Sequence, residues 1–122
     1  MFLYPFERLE VWQLSIDLTV NIYACTETFP TREQYGLSQQ VRRAAVSISS
    51  NLSEGSGRIS KKDQAHFFNM AYSSLMEVLN QLILANRIGY IKESNLISIR
   101  SSVEILPRKI ASLWNATLNA QP

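Results

Sequence analysis

The chain has 122 residues, 46% of them hydrophobic and 18% charged, with a net charge of +2 and one cysteine. That length suits a single domain with one core, and that composition excludes a disordered chain. A lone cysteine excludes an internal disulfide. No run reaches the ~18–20 apolar residues of a membrane span, and no basic stretch followed by an apolar run opens the chain, so the expectation is a cytoplasmic protein.

Four helical patterns follow, without strand alternation. In the first, Leu9, Trp12, Ile16, Thr19 and Tyr23 form one stripe, and Val11, Leu18, Ile22 and Cys25 form another beside it. Pro30 ends this helix, because its ring pushes Phe29 out of helical backbone. Cys25, set among Tyr23, Ala24 and Phe29, reads as a small buried hydrophobe. The second helix is expected to start near Thr31 or Ser38. It stops at Gly55–Gly57, where glycine takes a left-handed conformation at little cost. Leu37, Val41, Ala44, Ala45, Ile48 and Leu52 share its buried face. Its small residues Ala44, Ala45, Ser47, Ser49, Ser50 and Ser53 permit close helix approach.

The third helix begins at Ser60. Ser60-Lys61-Lys62-Asp63 places a capping hydroxyl three residues before a carboxylate. Ala65, Phe68, Tyr72, Leu75, Leu79 and Leu82 line one face, Phe67, Ala71, Ser74 and Val78 the next, and Gly89 ends the element. The fourth runs from Lys92 to Thr117 on the stripe Leu96, Ile99, Val103, Leu106, Ile110, Leu113 and Thr117. Pro107 lies inside it, and the unbroken phase of the stripe predicts one bent helix. Connections of about two to five residues force antiparallel neighbours. The predicted fold is all-α, an antiparallel up-down-up-down four-helix bundle, with residues 1–122 as one domain. The first six and last four residues are expected to lie outside the bundle.

Much of the chain also resembles a known family. Phe6-Glu7-Arg8-Leu9-Glu10-Val11-Trp12 is similar to its opening signature, and Ile22-Tyr23, Thr28-Phe29-Pro30 and Glu33-x-Tyr35-Gly36-Leu37 to its first connection. Gln40-x-Arg42-Arg43-Ala44-Ala45-Val46-Ser47-Ile48 and Asn51-x-x-Glu54-Gly55-x-Gly57-Arg58 resemble its second helix and turn. Phe67, Ala71, Ser74, Leu75 and Glu77 match its third. These are the motifs of the four helix bundle proteins encoded in intervening sequences of large-subunit ribosomal RNA genes. Ser53, where alanine is usual, and Pro107 depart from the pattern. The resemblance implies a homo-oligomer, a ring-shaped pentamer. It extends to the accessory variability determinants of diversity-generating retroelements, which bind RNA with a reverse transcriptase. The gene location behind the family's name implies no ribosomal role.

No pattern in the chain points to an enzyme, a cofactor or a metal. His66 and Cys25 lie far apart, no Glu-x-x-His pair exists, and Gly55-Ser56-Gly57 is too short for a dinucleotide fingerprint. His66 reads as a solvated residue beside Lys62, Asn69 and Ser73. Charge is the stronger signal. Residues 1–30 hold one base against four acids, and residues 31–62 six bases against two acids, which marks a basic side.

Glu54 lies near a helix C-terminus, where an anion is disfavoured. It is therefore expected in a structural ion pair with Arg58, or with Arg42 or Arg43 of a neighbouring subunit; the bland alternative is an exposed, tolerated charge. As a buried pair it predicts that Glu54→Gln lowers stability or loosens the assembly by roughly 1–3 kcal/mol. Lys61 and Lys62 occupy a helix's first turn, and with Arg58 they surround free backbone N–H groups suited to an anion. The bland alternative there is a solvated charge run. The leading expectation is a non-enzymatic homo-oligomer binding RNA or DNA through a basic rim of Arg42, Arg43, Arg58, Lys61 and Lys62. The alternative is a scaffold that binds another protein, with Arg42 and Arg43 in subunit contacts.

Overall fold

The computed structural model describes residues 1–120. Five helices, α1 (Glu10–Thr26), α2 (Leu37–Ser56), α3 (Lys61–Ile88), α4 (Glu93–Ser102) and α5 (Leu106–Asn119), make four rods of an antiparallel bundle, with α4 and α5 forming the last rod. Each end has a local cause. The amide of Leu37 donates to the Glu33 carboxylate at 3.1 Å, so a side chain four residues upstream caps α2. The Asp63 amide donates to Ser60 Oγ at 3.0 Å and starts α3 as its capping motif predicts. Gly89 ends α3 at φ 104°, a left-handed position that favours glycine. There the Tyr90 amide donates to the Ala85 carbonyl at 2.8 Å and the Gly89 amide to that of Asn86 at 3.0 Å, the paired bonds of a Schellman turn.

Three expectations need correction. The last rod is not one bent helix, because Val103–Ile105 break it and Pro107 falls in the first turn of α5. The missing proline N–H would have left the Val103 carbonyl unpaired in a continuous helix; restarting puts proline where it is tolerated. The Leu106 amide takes that carbonyl instead, at 3.1 Å, and Val103 and Leu106 both stay buried. The C-terminus of α2 does not use a left-handed glycine, since Gly57 has φ −90°. Gly55 lies inside the helix for a different reason: a Cβ there would sit 2.8 Å from Phe68 Cε1 and 2.9 Å from Phe67 Cβ. Finally, Pro5 and Phe6, two of the first six residues, are not outside the bundle but belong with Glu7 and Arg8 to it. These four form a 3₁₀ turn that packs on α1 and α2. Of the last four residues, 121–122 lie outside the described residues.

The core runs through Leu18, Ile22, Ile48, Leu52, Leu75, Leu82, Leu106 and Ile110. On α2 the expected face is buried from Val41 to Leu52, with Leu37 at its margin. On α1 the second stripe wins. Val11, Leu18 and Ile22 are buried with Ser15 and Thr26, whereas Trp12, Ile16 and Thr19 are half-buried and Tyr23 is exposed. Polar pairs fix the register between rods. The Thr19 hydroxyl donates to the Ala45 carbonyl at 3.2 Å, and the Ser47 and Ser74 hydroxyls lie 3.0 Å apart where α2 and α3 approach closely. Contact between α1 and the α4–α5 rod is sparser. It leaves a groove of about 700 Å³ lined by Cys25, Asn21, Asn95 and Ser98. Cys25 is thus half-buried at a groove wall, and burial pushes its thiol pKa up.

Candidate functional site

The cations expected to form one rim lie at two ends of α2. Arg42 and Arg58 are sixteen positions apart, about 24 Å along a helix. Arg42 belongs to the end where α1 finishes and α2 starts. Its Nε donates to Thr26 Oγ1 at 2.6 Å, its Nη2 donates to the Tyr23 carbonyl at 3.2 Å, and the same Nη2 lies 3.4 Å from Glu27 Oε1. The guanidinium also stacks 4.7 Å over the Tyr23 ring. A cation at a helix C-terminus offsets the macrodipole, and here it adds a donor to a carbonyl that the Glu27 amide already bonds at 3.3 Å. With its side chain 28% exposed, Arg42 is a helix-closing residue within its own protomer. Arg43 beside it is exposed on the outer side of α2.

A second cross-tie lies at the same end. The Tyr90 hydroxyl donates to Glu33 Oε2 at 2.8 Å, and Arg32 lies 5.8 Å from the centre of the Tyr90 ring. The Leu37 amide first, and the Tyr90 hydroxyl second, hold the Glu33 carboxyl below its ordinary pKa.

At the other end, the α2–α3 turn satisfies part of its own backbone. The Arg58 amide donates to the Gly55 carbonyl at 3.1 Å, and Gln64 Nε2 donates to the Arg58 carbonyl at 2.9 Å. The side chains above it face solvent. Arg58 stacks 4.5 Å over Phe67 and reaches Glu54 at 3.9 Å, with 45% of its side chain exposed. Lys61 and Lys62 are exposed and form no salt bridge among the described residues. Within the protomer, Arg58 is therefore the partner that Glu54 has. At 57% exposure of Glu54, such an i,i+4 pair contributes about 0.3–0.5 kcal/mol, well below a buried pair. His66 is exposed, edge-on to Phe67. Among the described residues, no three His, Cys, Asp or Glu side chains gather as metal ligands, and no helix is long and apolar enough to cross a membrane.

Sequence reasoning missed the partners of Arg42, the Glu33–Tyr90 tie and an aromatic series through Phe2, Tyr4, Phe6 and Trp12. Only Glu33 carried a local signal, an acid four residues before the start of α2. The Arg42 partners and the Tyr90 contact depend on which segments become neighbours, whereas the aromatic series is local and depends on the backbone of residues 2–12.

The model of the 23S rRNA-intervening sequence protein family matches residues 7–112, spanning all four rods. The chain belongs to that family. Among solved structures, it is similar to a protein of unknown function from the S23 ribosomal protein family of Bacteroides thetaiotaomicron. The two are 23% identical with a TM-score of 0.75, over 85% of this chain and 97% of that one. That likeness shows the four-helix fold. No curated protein matches. For this member of the intervening sequence family, the exposed cations of the α2–α3 turn are the chemistry left unexplained by the fold.

Proposed function

We propose that this chain is a non-enzymatic, cytoplasmic homo-oligomer, pentameric as its resemblance implies, that binds nucleic acid, RNA in particular, through the α2–α3 turn. The carrying observation is that Lys61 and Lys62, exposed and without a salt-bridge partner among the described residues, sit with Arg58 at the start of a 28-residue helix. Cations there oppose the helix dipole. A phosphate would neutralise them and occupy amides that lack helical partners. A ring repeats the patch around its axis, so weak phosphate contacts accumulate. Assembly is supported by the outer face of α1. Val20 is 63% and Tyr23 44% exposed, beside Val46 of α2 at 41%, an apolar surface beyond what the bundle core uses.

That same face supports a second reading, a scaffold whose partner is another protein. Light scattering with and without single-stranded RNA tests both. The proposal expects several times the 13.9 kDa monomer mass, most simply fivefold, and a further increase when RNA is added at low salt. A monomer at micromolar concentration overturns the assembly. An oligomer whose mass RNA leaves unchanged overturns nucleic-acid binding and leaves the scaffold.

A further inference from the structure

The first residues of the chain hold a row of rings that the bundle core does not use. Phe2 is 70% and Tyr4 60% exposed, yet both are held in place by neighbours. The Phe2 and Tyr4 rings meet edge to face at 5.1 Å, Tyr4 and Phe6 stack at 6.3 Å with 7° between their planes, and Phe6 meets Trp12 at 5.2 Å. The Tyr4 amide donates to Glu7 Oε2 at 2.7 Å, and Pro5 starts the 3₁₀ turn that follows. This arm therefore presents planar apolar faces to solvent from an ordered base at half-buried Phe6 and Trp12.

Its place in the fold follows from the register. The Thr19–Ala45 and Thr26–Arg42 hydrogen bonds together show α1 and α2 antiparallel, so the turn before α1 falls level with the last turn of α2, against which it packs. The rings thus share one end of the bundle with Arg58, Lys61, Lys62 and the fully exposed Ile59. Of the acids at this end, Glu54 is engaged by Arg58, Glu10 by Lys109 at 3.2 Å, and Glu7 by the Tyr4 amide, and exposed Asp63 is outnumbered by Arg58, Lys61 and Lys62. Exposed rings beside cations match a ligand that offers flat apolar faces and regular negative charge. A single-stranded nucleic acid offers both, whereas a duplex hides its base faces and a second copy of this end repeats the same cations.

We propose that Phe2 and Tyr4 are a stacking platform for the bases of single-stranded nucleic acid whose phosphates rest on Arg58, Lys61 and Lys62. This rests on the nucleic-acid reading above and narrows it to single strands. Phosphate contacts set the salt dependence, and ring contacts set the preference for unpaired strands.

The test compares the full chain with F2A/Y4A and F2L/Y4L, the second pair keeping apolar bulk without rings. Each is titrated against an oligouridylate of about 12 nucleotides and a duplex of equal length at about 50 mM salt. The parent should favour the single strand. Both variants should lose at least about tenfold in single-strand affinity, with duplex affinity, salt slope and melting temperature unchanged. Single-strand affinity equal to the parent's in either variant overturns the platform while the nucleic-acid reading stands. Loss of affinity together with a smaller mass by light scattering assigns the rings to a subunit contact, and also overturns it. A parent that binds neither probe ends both the reading and this inference.

Discussion

Arg42 at the start of α2 and Arg58 in the turn just beyond its end lie about 24 Å apart, and each stacks on an aromatic ring, yet they do different work. Arg42 ties the end of α1 through a hydroxyl, a carbonyl and a carboxylate. Glu33 and Tyr90 tie the α1–α2 connection to the α3–α4 connection at the same end. Polar side chains close this end. At the opposite end the turn is fixed by packing and by uncharged side chains instead of charged ones: Gly55 against Phe67 and Phe68, the Ser60 cap, and Gln64 on the Arg58 carbonyl. Because little in the fold draws on Arg58, Lys61 and Lys62, these cations are available to a ligand. A cation's residue type says nothing about which role it has; its neighbours on other rods decide.

The largest expected effect probes the packed end. Gly55→Ala should destabilise by about 1–3 kcal/mol, because the new methyl meets Phe67 and Phe68 inside normal contact distance and the core must shift. Urea unfolding measures it. A loss below half a kcal/mol would mean that charges hold this end after all. Next, Arg42→Ala should cost about 1–2 kcal/mol, by removing the charged donor to Thr26 Oγ1 and the Tyr23 carbonyl and the cation at the end of α1. Lys61→Gln and Lys62→Gln should each stay within about 0.5 kcal/mol of the parent. Equal losses at Arg42 and Lys61 would erase the contrast between the ends.

The smallest effect is one of pH. The folded state holds the Glu33 carboxyl below its ordinary pKa. Its contribution is therefore complete above the ordinary carboxylate range, and is lost as pH falls through that range to the depressed value. Melting temperature followed from neutral to acid pH should drop less steeply in Glu33→Gln than in the parent. Identical profiles would remove Glu33 from the polar tie.

The fold was largely legible because it depends on periodicity, which is local. The α2 face from Val41 to Leu52, the Ser60 cap and the Gly89 stop all follow from spacing along one helix. What spacing could not decide was competition. Both α1 stripes are apolar, and only the neighbours determine that Val11, Leu18 and Ile22 go inward. The stripe through Pro107 keeps phase whether the rod bends or restarts, so phase alone could not settle it. The site was legible in part. The cations were identifiable by type and density, but their division between two ends required the register of α2. The use of Arg42 required knowing that Thr26 and Tyr23 lie beside it.

We propose that the open end, and not the closed one, meets nucleic acid. The direct measurement is the slope of log K against log salt for a single-stranded RNA, in the parent and in a variant with Arg58, Lys61 and Lys62 replaced by Gln. Each neutralised phosphate should contribute a fall of about 0.7 to the parent's slope, and the triple variant should lose most of that slope while keeping the parent's melting temperature. A triple variant with the parent's slope would place the phosphate contacts elsewhere, and a parent that binds no RNA at about 50 mM salt would remove nucleic acid as the ligand.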